Sequence, residues 1–145
     1  MEEERRFEYL EHTADVYIEA YGVNLDEAFE NAALATVEVM TDTNKIESKT
    51  LENIEVLAQD EYALLYNWLE ELLILFDTEG LLFSKFKVSE ISETEKGLKL
   101  KAKIWGEEFD PARHPQKVGV KAVTYHLMEI VKKPDSVLLR FILDI

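Results

Sequence analysis

The sequence predicts an α+β fold, a sandwich in which two main helices pack on a mostly antiparallel or mixed β-sheet. Three observations lead there. Two stretches carry apolar residues at helical spacing, several others alternate apolar with polar residues, and short turns separate the alternating stretches late in the chain. At 145 residues the chain is one ordinary domain, 1–145, able to bury ~70% of the surface its unfolded form exposes.

Phe7 to Leu10 and Val16 to Tyr21 alternate, which predicts two half-buried strands, and Gly22 breaks the pattern. Asn24 is a good N-cap with Glu27 three residues on, and Leu25, Ala28, Phe29, Ala32, Ala33, Thr36, Val37 and Met40 then mark one face of a helix. Thr41 to Asn44 ends it. The stretch from Ile46 to Ala58 reads as a strand. Asp60 caps a second helix that is apolar nearly all round, from Leu64 to Phe76, and so is buried on more than one side; Asp77 to Gly80 stops it.

Strands follow over Phe83 to Ser92 and Leu98 to Trp105, joined by a hairpin at Glu93 to Gly97. Gly106 to Pro115 is irregular. Val118 to Val131 and Val137 to Leu143 complete the sheet, the former read as a strand for its β-branched content.

Composition excludes some chemistry. No cysteine is present, hence no disulfide, thiolate nucleophile or zinc-thiolate site. No apolar run reaches the ~20 residues of a spanning helix, and the first residues lack the apolar core of a signal peptide, so a cytoplasmic protein without membrane contact is expected. The net charge of −14 disfavours direct nucleic-acid binding, whose affinity comes largely from Lys and Arg, and suits docking on a basic protein. Solubility alone also explains such acidity.

Chemistry concentrates at Glu11-His12-Thr13-Ala14-Asp15, where the first two strands meet. His12 and Asp15 suit a general base with its orienting carboxylate, or two members of a metal site; equally, Asp15 suits hydrogen bonding to turn backbone. Asp144 and the α-carboxylate of Ile145 bear on that choice. If the last strand lies beside the one leaving Asp15, three anionic groups converge, and an oxygen-rich set of that kind suits a hard divalent cation. A frayed, solvated terminus is the plainer reading. Arg113 and His114 sit in the irregular segment, where polar residues without function are common. His126 lies in an alternating run and reads as structural, and Lys121 opens that run within reach of a carboxylate or phosphate. There is no Gly-rich phosphate loop and no HExxH, and no catalytic residue is assigned.

Taken in order, several pieces resemble the archease family: Glu11 to Asp15, Asn24 to Ala33, Leu64 to Leu75 with its Trp68-Leu69-Glu70-Glu71-Leu72-Leu73 centre, Val120 to His126, and the terminal Asp144-Ile145. The resemblance spans essentially the whole chain. It implies an α/β sandwich and a helper rather than a self-sufficient enzyme: an accessory protein of the RtcB-type RNA ligase of tRNA splicing, promoting guanylylation of the ligase's histidine and its multiple turnover. It also implies a metal site at Asp15, Asp144 and Ile145, with His12 and Lys121 accessory to it or to partner contact. Ca²⁺ is the expected ion, with Mg²⁺ or Mn²⁺ as alternatives. Two other readings stay open: a chaperone-like modulator of a tRNA methyltransferase, and a stand-alone metal-dependent hydrolase using His12 as base.

Overall fold

Two helices form the middle of the molecule because their caps and apolar faces are written locally. In this computed structural model, which describes residues 5–11 and 14–145, α1 spans Leu25–Met40 and α2 spans Glu61–Glu79. The Asn24 side chain accepts from the Glu27 amide at 2.9 Å, and the Glu27 carboxylate reaches back to the Val23 amide at 3.1 Å, one residue before the usual capping-box partner. Asp60 accepts from the Ala63 amide at 2.8 Å. Each cap is worth about 1 kcal/mol. α2 runs through Glu79, past the expected stop at Asp77, and ends where Gly80 adopts a left-handed φ of 66° and its amide donates to Phe76 at 2.9 Å.

The strands are β1 (Phe7–Leu10), β2 (Val16–Gly22), β3 (Thr50–Ala58), β4 (Leu81–Thr94), β5 (Gly97–Glu108), β6 (Ala122–Lys133) and β7 (Ser136–Asp144). They form two sheets with every described pairing antiparallel: a four-stranded sheet, β1-β2-β7-β6, and a three-stranded sheet, β3-β5-β4. The α+β class holds. The layering differs from a single sheet covered by helices, because α1 packs on β2 and β7 on one side and β4 on the other. Likewise α2 packs on β6 and on β3, β4 and β5. No described strand of one sheet touches the other, so the helices fill the space between two sheets. This is why α2 is apolar nearly all round: Leu64, Leu65, Trp68 and Leu69 are fully buried between layers. The Trp68 indole N–H donates to the Phe29 carbonyl at 2.9 Å and ties the helices together. None of the described helices is long and apolar enough to cross a membrane.

Two strand boundaries depart from the alternation. β3 starts at Thr50 rather than Ile46, because a 3-10 turn at Thr43–Lys45 and residues 46–49 carry the chain out of the helix layer. β6 starts at Ala122 rather than Val118, because residues 117 and 118 spend their amides on the end of α1. The register of β6 on β7 also breaks between Thr124 and Glu129, where Leu127 takes φ 56°. His126 is exposed in this irregular stretch.

Candidate metal centre at one end of the four-stranded sheet

The pairing of β2, β7 and β6 decides which charges meet. Val16 pairs with Leu143, and Ala122 pairs with Asp144. Asp15 directly precedes β2, Asp144 ends β7, and Lys121 directly precedes β6. The Lys121 amide donates to the Asp144 carbonyl at 2.7 Å, carrying the ladder to the sheet's last step. Asp15, Asp144, Ile145 and Lys121 therefore gather at one end of the sheet. Continuing the β2–β7 register by one residue sets Asp15 opposite Asp144, on the face away from the helices, since Ile18, Leu139, Phe141 and Leu143 point inward.

Both aspartates are half-buried and Lys121 is exposed. Among the described residues, neither aspartate enters an ion pair. Nor do three or more His, Cys, Asp or Glu side chains gather there as a ligand set. Two carboxylates at the end of adjacent strands, with main-chain oxygens beside them, make a donor set of oxygens alone; that chemistry fits Ca²⁺ or Mg²⁺ and disfavours soft metals. His12, the expected accessory residue, lies outside the described residues.

Asp15 also borders an open cleft of about 380 Å³ lined by Tyr9, Val16, Glu38, Lys117 and Val118 among others. A larger groove of about 880 Å³, lined by Leu57, Asn67, Leu98 and Tyr125 among others, shares no lining residue with it. The smaller cleft is the one that adjoins the candidate centre, since Asp15 lines it. Its walls are held by contacts that the sequence does not reveal. The Lys117 and Val118 amides donate to Met40 and Val39 at 3.1 and 3.3 Å, satisfying carbonyls that the end of α1 leaves open. The Lys117 ammonium donates to the Glu38 carbonyl at 3.1 Å and pairs with the Glu38 carboxylate, placing positive charge at a helix C-terminus that has no basic residue of its own. Tyr9 donates to the Ala35 carbonyl at 3.1 Å, and burial, then the Glu38 charge, push its phenol up, so it stays a neutral donor.

Of Arg113 and His114, either of which could contact a partner or an anion from the irregular segment, Arg113 is exposed and pairs with Glu107, Asp110 and Glu47, whereas His114 turns inward. His114 is fully buried, accepts the Asp110 amide on Nδ1 at 2.8 Å and lies 3.1 Å from Glu107 through Nε2. Glu107 is itself buried, accepts the Glu47 amide at 2.6 Å and pairs with Arg113. Burial alone would raise this carboxyl. The Glu47 amide, Arg113 and His114 together outweigh it and bring the pKa down to about 2. These residues anchor the irregular segment that leads to Lys117 and Lys121, so they position the candidate centre from a distance. No local signal marks Glu107, because its partners meet it only when the turn after β5 folds back.

Comparison with known proteins agrees with this architecture. Residues 7–145 match the model of the archease protein family. The archease of Sulfurisphaera tokodaii is 50% identical over 97% of this chain and 99% of its own. That of Pyrococcus abyssi is 52% identical over 91% and 92%. Among solved structures, the solution structure of a Methanobacterium thermoautotrophicum protein superposes with a TM-score of 0.84 at 46% identity, covering 97% of this chain and 99% of that one. A crystal structure from Thermotoga maritima, described as an archease and possible chaperone, covers both chains fully with a TM-score of 0.57; at 20% identity it supports the fold alone. A match over nearly the whole chain, at about half of all positions, shows that this chain belongs to the archease family.

Proposed function

We propose that the chain is an accessory protein of an RtcB-type RNA ligase, acting through the acidic end of its four-stranded sheet rather than catalysing a reaction alone. One observation carries this reading: the β2–β7–β6 register gathers Asp15, Asp144, Ile145 and Lys121 at one exposed end of the sheet. A bound divalent cation, Ca²⁺ first and Mg²⁺ or Mn²⁺ next, would supply counter-charge and Lewis acidity there. The chain's own residues do the rest. Asp15 and Asp144 hold the donors at fixed strand ends, the Ile145 carboxylate completes the set, and Lys121 offers a positive group beside them for a partner carboxylate or phosphate. A net charge of −14 favours encounter with a basic, RNA-handling enzyme over competition for its substrate. In this reading the helper is a cytoplasmic protein.

Single-turnover guanylylation of the ligase tests this. Asp15→Ala and Asp144→Ala proteins should lose most of the stimulation, while calorimetry should show weakened Ca²⁺ binding for both and for a chain extended beyond Ile145. Undiminished stimulation by either variant would sink the reading. The coarser alternative, a chaperone-like modulator of a tRNA methyltransferase, draws on the open groove beside exposed Leu57 and Tyr125. It predicts suppressed aggregation of that enzyme with Asp15→Ala protein as effective as the parent.

A further inference from the structure

The outward face of the three-stranded sheet carries a charge opposite to that of the molecule. Along β5, Leu100, Ala102 and Ile104 point into the core, which turns Lys99, Lys101, Lys103 and Trp105 outward. Register brings more lysines beside them: Lys85 lies opposite Trp105, and Lys87 opposite Lys103. The Lys85 ammonium sits 4.6 Å from the centre of the Trp105 ring. Against these five lysines the same face sets Glu55 and Glu90, both opposite Lys101, and beyond Trp105 the buried Glu107, which Arg113 and His114 already occupy. Lys87 is partly balanced from the helix layer, where it acts on Asp26 and Glu30. None of the five forms an ion pair with a described residue. The chain has 16 Lys and Arg residues in all and a net charge of −14, so this concentration departs from the average surface.

Part of the arrangement costs the fold something. Like charges placed directly opposite, as at Lys87 and Lys103, destabilise a sheet. A protein interface is a poor explanation, because Lys is depleted from the centre of such contacts while this face has lysine in its middle. A polyphosphate strand fits better. Alternate residues on a strand lie ~6.8 Å apart, a spacing suited to successive phosphates of an extended chain. One aromatic ring at the end of the row offers a base a surface to stack on.

We propose that the β3-β5-β4 face binds the backbone of single-stranded RNA through Lys85, Lys99, Lys101 and Lys103, with Trp105 receiving a base. The acidity that argues against nucleic-acid binding is a whole-chain average, and this sheet lies across the helix layer from the Asp15 and Asp144 end. The proposal does not depend on the ligase, and its test omits it.

The experiment is fluorescence anisotropy of the full chain with a short labelled single-stranded RNA across a salt series. Four phosphate contacts predict a log–log salt slope of about −3 for a single strand. Charge reversal at two exposed strand positions, Lys101→Glu with Lys103→Glu, should weaken binding by roughly tenfold or more, with circular dichroism confirming an unchanged fold. Trp105→Ala should weaken RNA binding while leaving the salt slope in place. Absence of binding at low salt, or binding untouched by the double reversal, overturns the proposal. So does equal affinity for polyglutamate or for anionic vesicles, which would make the face a general anion surface.

Discussion

The two sheets flank the same pair of helices but treat their outward charges in opposite ways. On the four-stranded sheet, charge is mostly consumed by the fold. Glu19 accepts from Arg140 at 2.6 Å and from Tyr21, and Arg140 also donates to Glu129 at 2.8 Å. Burial would raise the Glu19 carboxyl, yet the bonds from Tyr21 and Arg140 outweigh it and hold it below the usual range. At one end of the sheet Asp15 and Asp144 lack ion pairs among the described residues, as Lys133 does at the other. On the three-stranded sheet, the lysines of β4 and β5 form no ion pair with a described residue anywhere along the row. Charges that a fold pairs within itself explain its stability. Charges that it assembles and leaves unpaired are the ones to examine for function.

The first way to break this comparison is to ask whether the two regions are separate units at all. Gly106 lies in β5 against β4, and a Cβ there would come within 1.8 Å of the Leu82 carbonyl oxygen and 2.7 Å of its carbon. Backbone cannot yield that much without separating the strands. Gly106→Ala should cost about 3 kcal/mol or more. Because both sheets share one core through α1 and α2, chemical denaturation should show a single transition. Ca²⁺ binding and the tertiary signal should then disappear together. Retained Ca²⁺ binding after the three-stranded sheet has melted would show that the four-stranded sheet stands alone.

What the sequence disclosed follows the same division between local and distant causes. The caps at Asn24 and Asp60 and the stop at Gly80 were legible because each is satisfied within a few residues. Asp15 and Asp144 were legible as charges at strand ends. Their convergence depends on β2 pairing with β7, at the opposite end of the chain, and alternation alone cannot specify a partner. The same limit hid the second sheet: an all-round apolar α2 says that two sides are covered, without saying by what. Val118 to Lys121 looked like strand because its alternation is real, yet the Val118 amide answers the end of α1, and it is the Lys121 amide that meets β7. Arg113 and His114 looked like idle loop residues since nothing near them in sequence predicts the burial of Glu107. The lysine row was visible as alternation and was masked by the averaged charge.

A smaller effect should separate positioning from binding. Glu107 sits on the lysine-bearing sheet, while its partners Arg113 and His114 begin the segment leading to the acidic end. Its pKa falls from 4.5 to about 2 on folding, which corresponds to a contribution of up to about 3 kcal/mol at neutral pH. Since the folded pKa is the lower one, that contribution is complete above pH ~4.5 and is lost as pH falls toward about 2. Glu107→Gln should therefore lower stability at neutral pH and flatten the acid limb of the stability profile. Urea melts from pH 7 downward would check both, and a variant whose acid limb matches the parent would remove Glu107 from its assigned role.

The smallest effect expected is at Lys117, and it bears most directly on which region a change belongs to. Its ammonium pairs with Glu38 and contacts the last turn of α1, yet it is well exposed. An exposed pair and a helix-end charge contribute less than about 1 kcal/mol together. Lys117→Met keeps most of the side chain's length and removes only the charge, so the fold should survive with a slightly lower Tm. The backbone bonds from residues 117 and 118 to Val39 and Met40 do not involve that charge and should persist. Local looseness should then appear as faster amide exchange at 117–121, next to Asp144, while RNA affinity of the lysine face stays unchanged. If that affinity falls as well, the two surfaces communicate through the helix layer, and the division between the acidic end and the basic face gives way to one coupled surface.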